Sequence, residues 1–454
     1  MSLPLPAPGR VRPSAGALAG RLRPGATAIA VFTLAAAVAL GTLLSRRPPS
    51  QAVIGAVAAA GAALALAAAS YETVVAFGFL ALGVVKIEPA PSDALLAIAF
   101  GLAFARGGLD LRRVPVSMLL ALVALLAINL LSAMGAADFG GALRFFGITL
   151  YLVVLAVWLA AWATTPRRVR LVVGAYIAGA VLSAGLAVLA VLGAPLPGRS
   201  TLIGEGVRAQ GLFKDPNVFG PYLVPAAAIL LEEALGPRLL RLRRGTALAL
   251  LAVLALGILF AYSRAAWLNF FVALIVMLAV LAARANSGPQ VAAALAIVLA
   301  LGALGVTAIA LSGAENLLRE RAQSQRYDSN RFDAQRSGVR LAETHLLGVG
   351  PGQFERVSPI SAHSIYVRVM AEQGPLGLAA LLVLLGGTLV IAARNAVAGR
   401  DANGVGSAAL LGAWCGLLAN SAFVDTLHWR HLWLVAALVW VAATRDHRGC
   451  SRRT

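Results

Sequence analysis

Three polar segments interrupt an otherwise apolar sequence, and the first carries residue types that suit an anionic substrate. It is VRAQGLFKDPNVFGPYL, residues 207–223, in which Asp215 is placed as a helix cap and Pro216 as the first helical residue. Four further polar side chains lie where this loop enters the helix: Arg208, Gln210, Lys214 and Asn217. Helix N-termini and forked guanidinium groups both bind phosphate. The alternative interpretation is an interface anchor with a polar turn.

The second polar segment is LFAYSRAAWL, residues 259–268. The apolar run around it, 246–283, contains no proline and is too long for one transmembrane helix, which needs about 20 residues. Only the break at Tyr262–Ser263–Arg264 divides the run, so the sequence predicts a tight helical hairpin with Arg264 at its turn. The alternative is that this charge only marks the turn, as arginines near helix ends often do.

The third polar segment, residues 340–378, ends a long hydrophilic stretch. Its GVGPG turn is a weak match to a phosphate loop and lacks the strand and helix around it, which argues against a nucleotide site. His363 and Ser364 then open a segment that runs through Glu372–Gln373–Gly374 into the next apolar stretch. A histidine at the mouth of a membrane helix could act as a base or as a hydrogen-bond donor near pH 7. A structural interfacial histidine is the alternative.

The composition shows what must position these segments. Hydrophobic residues make up 60% of the 454 residues, charged residues only 13%, and the mean hydropathy is +0.84. These values exclude soluble, disordered, collagen-like and coiled-coil proteins, and the continuous apolar runs argue against an outer-membrane barrel. The sequence predicts an all-α polytopic integral membrane protein with about 12–14 transmembrane helices.

The apolar stretches predict the order of the regions. Candidate spans are 26–44, 51–70, 73–86, 92–105, 115–133, 143–163, 168–193, 217–235, 246–262, 265–283, 290–311, 375–394, 405–424 and 430–444. The short pair 73–86 and 92–105 could instead be re-entrant. We expect five regions: a cytoplasmic tail 1–25, a transmembrane region 26–311, a large periplasmic loop 312–374, C-terminal transmembrane helices 375–444 and a cytoplasmic tail 445–454.

Charge sets the expected orientation. The formal charge of +19 comes from 38 basic and 19 acidic residues, and most basic residues flank spans, so we expect a topology signal and no nucleic-acid partner. With the N-terminus inside, nearly every short basic loop is inside, Arg46–Arg47 excepted. All three polar segments then share the outer face, where two arginines, a histidine and a large loop suit a lipid-linked diphosphate.

Metal and cofactor signals are weak. Cys415 and Cys450 form no plausible disulfide or metal site, and no acidic cluster with metal-ligand spacing lies on the outer side. His428, His431 and Asp425 could ligate a metal, but an interfacial belt with Trp429 and Trp433 is the favoured interpretation. We therefore expect no metal and no cofactor.

Together the segments resemble the O-antigen ligase and polymerase superfamily of bacterial envelope glycan enzymes, over residues about 70–440. RAQGLFKDPNVFG resembles the family's Arg–x–x–Gly…Pro–Asn–x–x–Gly element, and YSRAAWL resembles its Ser–Arg element. RSGVRLAETHLLGVGPGQF followed by HSIYVRVMAEQGPLG resembles the loop with a His–Asn/Ser motif. Ser364 stands where asparagine is frequent. The order and spacing of the three elements carry the resemblance.

The resemblance implies a GT-C-like, metal-independent membrane glycosyltransferase in the bacterial inner membrane, with its active site facing the periplasm. It would move a glycan from undecaprenyl diphosphate to an acceptor sugar hydroxyl, on lipid A–core for a ligase. Arg208 and Arg264 would bind the donor diphosphate, and His363 would orient or deprotonate the acceptor hydroxyl. The expected substrate-binding residues are Arg340, Gln210, Lys214, Asn217 and Ser364.

Three alternatives remain open at this point. A polymerase would give the glycan to another lipid-linked unit, and a protein O-glycosylation enzyme would give it to Ser or Thr. A transporter or flippase belongs to a different class, and it usually needs ionisable residues or broken helices near the middle of the membrane. The charged residues here cluster at the ends of the spans.

Overall fold

The computed structural model describes residues 71–443, except for 88, 106–109, 205–206, 237–238, 285–287, 313–314, 316–318, 320–325 and 359. Within this part of the chain the regular structure is helical, and the only β-type pairs are the isolated bridges 203–209 and 402–405. The predicted all-α polytopic class is confirmed. The predicted spans 26–44 and 51–70 and both predicted cytoplasmic tails lie outside the described residues.

The helices follow the apolar stretches closely. They are α1 (Tyr71–Leu80), α2 (Pro91–Ala105), α3 (Val116–Met134), α4 (Phe139–Trp162), α5 (Pro166–Val191), α6 (Arg199–Leu202), α7 (Pro216–Leu235), α8 (Arg244–Phe260), α9 (Arg264–Ala282), α10 (Gly288–Ser312), α11 (Arg326–Thr344), α12 (Phe354–Val357), α13 (Ile365–Val397), α14 (Ser407–Ser421) and α15 (Arg430–Ala443). Seven of them are long and apolar enough to cross a membrane: α3, α4, α5, α7, α9, α10 and α13. Five shorter apolar helices accompany them: α1 with its 3₁₀ extension to Gly83, α2, α8, α14 and α15.

Polar contacts between the ends of different helices show which helix ends lie together at each end of the bundle. At the Arg-rich end, Arg167 reaches Glu72 at 2.8 Å and Arg284 donates to Ser407. At the opposite end, here called the site end, the Val85 amide donates to the Leu212 carbonyl at 2.8 Å. The chain from Glu72 to Val85 thus passes from one end to the other, which favours a crossing over the re-entrant alternative.

Helix α7 lies at the centre of the bundle, and 89% of its most apolar stretch is buried inside the protein. It packs against α5, α8, α9 and α14, so apolar side chains on all its faces find partners. By contrast, only 22% of the most apolar stretch of α10 is buried, and the exposed apolar surface of this helix suits contact with lipid. The site end therefore includes the first turn of a rigid central helix.

Helix α13 is kinked at Gly374, where φ is 69° and proline follows. The kink separates residues 365–373 at the site end from the crossing part of the helix. The GVGPG turn lies on this kink, because Val349 and Gly350 donate to the carbonyls of Ala371 and Glu372 at 3.0 and 2.9 Å. A side chain at Gly374 would overlap the Leu346 carbonyl oxygen, so the turn needs backbone-to-backbone approach there.

The interfacial-belt interpretation of the last hairpin is wrong. Trp429, Trp433 and His431 are 8%, 3% and 3% exposed, and they pack inside the protein. The Trp433 indole donates to the Leu427 carbonyl at 2.8 Å. A belt residue would present its ring to the lipid, whereas these rings fill the core between α15 and its neighbours.

Candidate functional site

The guanidinium of Arg208 links two segments that the sequence keeps far apart. Its Nε donates to the Ala261 carbonyl at 3.1 Å, and its Nη2 donates to the Asn217 side-chain oxygen at 3.0 Å. Arg208 is only 5% exposed. A buried charge needs polar partners of this kind, and they fix where the fork of the guanidinium lies.

The Ala261 contact places Arg208 beside the predicted hairpin turn. Helix α8 ends at Phe260, and α9 begins at Arg264 with Ser263 as its cap, so the turn matches the expectation. The Ala209 amide also donates to the Phe260 carbonyl at 2.7 Å, which holds the loop against the end of α8. Arg264, half-buried at the first position of α9, is therefore three residues from a direct Arg208 contact.

The other polar residues of the first segment have different surroundings. The Gln210 amide donates to the carbonyls of Thr201 and Ile203, at 3.1 and 3.3 Å, and so braces the loop. The Asn217 side-chain oxygen accepts from Arg208, and the Asn217 backbone N–H donates to the Asp215 carboxylate, the cap of α7, at 2.8 Å. Lys214 is exposed at the edge of the site end.

His363 lies just before α13, in a backbone conformation with φ of 46°. Its Nδ1 is 3.3 Å from Nη2 of Arg331. Burial lowers the pKa of His363 to about 4, and the nearby charges of Arg331 and Arg368 act in the same direction. The imidazole is therefore neutral at pH 7, as either a base or a neutral donor must be.

Two carboxylates act on His363 in the opposite sense and show which elements meet there. Asp215 and Asp425 both raise its pKa, although less than burial lowers it. Asp215 caps α7, next to the Asn217 partner of Arg208, and Asp425 precedes α15. The first and third polar segments thus come together at one site, as the second does through Ala261.

Ser364 and Arg340 lie at its margins. The Ser364 hydroxyl accepts from the Val367 amide at 3.5 Å as the cap of α13, and the residue is 3% exposed. Arg340 is exposed on α11, the helix within the large loop. The structure therefore pairs Arg208 with Asn217, relates His363 to them through Asp215, and leaves Arg340 exposed.

Arg368 is a site residue that the sequence reasoning missed. It is 6% exposed; its Nε lies 2.8 Å from Asp425, its Nη1 3.3 Å from Glu372, and its Nη2 contacts Glu355. The signal in the sequence was an Arg and a Glu four residues apart on one helix face. Nothing in the spacing indicated that Glu355 and Asp425 are also its partners.

Lys86 was also missed. The neighbouring Val85 amide bonds to the Leu212 carbonyl, which brings this lysine to the edge of the loop that carries Arg208. Partial burial lowers the pKa of Lys86. A further cationic side chain therefore lies at the same end of the bundle.

Among the described residues, no group of three or more His, Cys, Asp or Glu side chains is placed to share a metal ion. His428 instead pairs through Nε2 with the Thr149 hydroxyl at 3.1 Å and packs against the Phe145 ring. The charged groups at the site end are mainly guanidinium and carboxylate groups around a neutral imidazole.

One comparison with known proteins matches part of the chain. Residues 249–382 match the family model described as O-Antigen ligase. That range includes Arg264, Arg340, His363 and Arg368, whereas Arg208 lies before it. No curated protein matches the chain.

Proposed function

We propose that the chain, whose residues 249–382 match the O-antigen ligase family model, is an enzyme of the O-antigen ligase and polymerase superfamily that transfers a glycan from undecaprenyl diphosphate to a hydroxyl of lipid A–core. The coarse activity, glycan transfer by a membrane enzyme of this superfamily, follows from the family. The donor, the acceptor and the residue roles are the proposal.

The supporting observation is the position of Arg208. It is buried between the Ala261 carbonyl, next to the turn that carries Arg264, and Asn217 at the start of α7. Two guanidinium groups near the N-termini of α7 and α9 suit a diphosphate, because guanidinium forks and helix N-termini both favour phosphate oxygens.

These groups supply what glycan transfer needs. The bond from the anomeric carbon to a diphosphate oxygen breaks, the acceptor oxygen bonds to that carbon, and the hydroxyl proton passes through water to the leaving diphosphate. Negative charge develops on the leaving diphosphate, and oriented charges in a water-poor site stabilise it. Arg208 and Arg264 take the part that a divalent cation plays elsewhere, so we expect transfer without added metal. Neutral His363 contacts the reacting oxygens, which are those of the acceptor hydroxyl and the leaving diphosphate.

The face of the membrane also belongs to the proposal. The Arg-rich end carries the basic short loops, including Arg113, Arg168 and Arg244, and such loops favour the cytoplasm. The site end would then face the periplasm of a bacterial inner membrane, where a lipid-linked glycan and lipid A–core would meet.

Reconstitution tests the proposal. Purified protein in liposomes would receive an undecaprenyl-diphosphate glycan and rough lipopolysaccharide, with EDTA present, and the products would be separated on a gel. We expect glycan on lipid A–core, with a loss of roughly 100-fold or more for Arg208→Ala or His363→Ala. The matched control is Arg199→Ala, an exposed arginine at the same end that bonds to the Ala190 carbonyl.

Other outcomes would decide against the ligase. Lengthening of the lipid-linked donor without lipopolysaccharide would identify a polymerase instead. Transfer to a peptide serine or threonine would identify protein glycosylation. A folded protein that transfers glycan to none of these acceptors would reject the glycosyltransferase assignment and favour transport. Complete loss of activity on EDTA treatment would reject metal independence.

A further inference from the structure

The contact between Arg331 and His363 defines a protonation pattern. Arg331 Nη2 and His363 Nδ1 are 3.3 Å apart. A guanidinium can only donate hydrogen bonds, so Nδ1 must be the acceptor. A neutral imidazole carries one proton on nitrogen, and with Nδ1 accepting, that proton lies on Nε2.

Arg331 is placed by the docking of α11. The helix packs against the site-end part of α13 through residues three and seven positions after Arg331, namely Ala334 and Gly338. Residues at these spacings share one helix face. An added Cβ at Gly338 would lie 2.5 Å from Val367 and 3.2 Å from Phe354, so glycine permits the close approach. Arg331 therefore points from the docked face towards His363.

The opposite face of α11 carries different side chains. Phe332 and Val339 are 51% and 41% exposed, and Arg336 pairs with Asp333 at 3.0 Å while it is 72% exposed. Arg336 lies on the same helix with the same charge and does not face the site. It is a matched control for Arg331.

His363 is also held from its own side. Its backbone has a positive φ, and the next residue, Ser364, caps α13. With Nδ1 directed at Arg331, Nε2 lies on the opposite edge of the ring. Both nitrogens of the ring then have a defined direction of hydrogen bonding.

We propose that Arg331 is a positioning residue that fixes His363 in the Nε2–H form, so that His363 meets the substrate as a hydrogen-bond donor to a diphosphate oxygen rather than as a base. The substrate half of this statement rests on the proposed function, whereas the tautomer does not. Such a donor would add a third group to the stabilisation of the leaving diphosphate.

The tautomer can be measured without any activity. Protein labelled with ¹⁵N-histidine would be reconstituted in bilayers and studied by solid-state NMR at pH 7, and His363→Gln would identify the signals of His363 among the five histidines. We expect a protonated Nε2 and an unprotonated Nδ1. Arg331→Gln should shift these signals or mix the two tautomers, while Arg336→Gln should leave them unchanged. A protonated Nδ1 in the unaltered protein, or no change in Arg331→Gln, would overturn the proposal.

The donor role has its own test in the transfer assay. The Gln amide can place an N–H near the position of Nε2, whereas the shorter Asn amide lies near Nδ1. We expect His363→Gln to keep roughly tenfold more activity than His363→Asn or His363→Ala, about the value of one hydrogen bond. Equal losses in all three variants would reject the donor role. The expected NMR result with no transfer to any acceptor would uphold the tautomer and reject the proposed function.

Discussion

Nε of Arg368 lies 2.8 Å from the Asp425 carboxylate, and this pair joins the start of α13 to the loop before α15. The two residues are 57 positions apart in the chain and form an ionic group with Glu372 and Glu355, in which Arg368 and Glu372 are buried. Glu372 in turn accepts from the Phe354 amide at 3.2 Å. The network supports the backbone on which His363 is mounted.

Removal of the Arg368 charge should therefore destabilise the fold. Arg368→Gln leaves the buried Glu372 carboxylate without its cation, and such a loss costs about 3–5 kcal/mol. The measurement is the free energy of unfolding in detergent, followed by denaturant titration. Arg356→Gln is the control, because Arg356 is 55% exposed and 3.8 Å from Asp138, where an ion pair is worth about 1 kcal/mol or less. Equal effects of the two substitutions would contradict the role of the network.

The depressed pKa of His363 predicts the pH response. Its folded pKa is about 4 against an ordinary 6.5, so it stays neutral as pH falls from 8 to about 5. Initial transfer rates should show no step from this residue near pH 6.5. The unfolded chain binds the proton first, so the stability from this histidine is full above pH 6.5 and is lost as pH falls through 4. His363→Gln should reduce that slope. A step near 6.5 that disappears in His363→Gln would show that the histidine is not held neutral.

The kink in α13 offers a matched pair of glycine substitutions. Gly374→Ala forces a side chain onto the Leu346 carbonyl and into a left-handed conformation, which alone costs about 1–2 kcal/mol. Gly386→Ala, in the same helix, meets nothing within 4 Å and improves helix propensity by up to about 1 kcal/mol. Thermal unfolding in detergent should show a clear fall for the first and no fall for the second. Similar melting temperatures would mean that the GVGPG turn does not rest on the kink.

Cysteine labelling tests which face carries the site. In a background with Cys415→Ala and Cys450→Ala, Thr201→Cys and Leu346→Cys place exposed thiols at the site end. Arg112→Cys places one at the Arg-rich end, which positive charge assigns to the cytoplasm. An impermeant maleimide should label the first two in intact spheroplasts and the third only after lysis. The reverse pattern would invert the predicted topology.

Hydropathy predicted the positions of the long apolar helices. The predicted span 217–235 corresponds to α7 at Pro216–Leu235, and 265–283 corresponds to α9 at Arg264–Ala282. Long apolar runs with caps determine helices locally, because caps and hydrophobic length are properties of neighbouring residues. The short pair around α1 and α2 was ambiguous, since only contacts made far along the chain show that α1 runs from one end of the bundle to the other.

The sequence indicated which residues are candidates for the site, but it did not indicate the contacts that they make. Arg208 and His363 were identified because each lies where a polar segment enters a membrane helix, and because those segments resemble elements of the family. The hydrogen bond from Arg208 to the Ala261 carbonyl could not be predicted from spacing. Every residue has a backbone carbonyl, so the sequence does not show which one accepts. Arg331 and Arg368 were missed for a related reason: each acts through a partner that another helix supplies.

The loop that carries Arg208 is already braced before a donor arrives. The Gln210 side-chain amide donates to the carbonyls of Thr201 and Ile203. The backbone amide of Ala209 donates to the Phe260 carbonyl, and that of Leu212 donates to the Ser183 hydroxyl. Ordering a free backbone costs roughly 1–2 kcal/mol per residue. Because this cost is met when the protein folds, little of the binding energy of the proposed donor would be spent on immobilising the loop, and more of it would remain to favour the transition state over the bound donor.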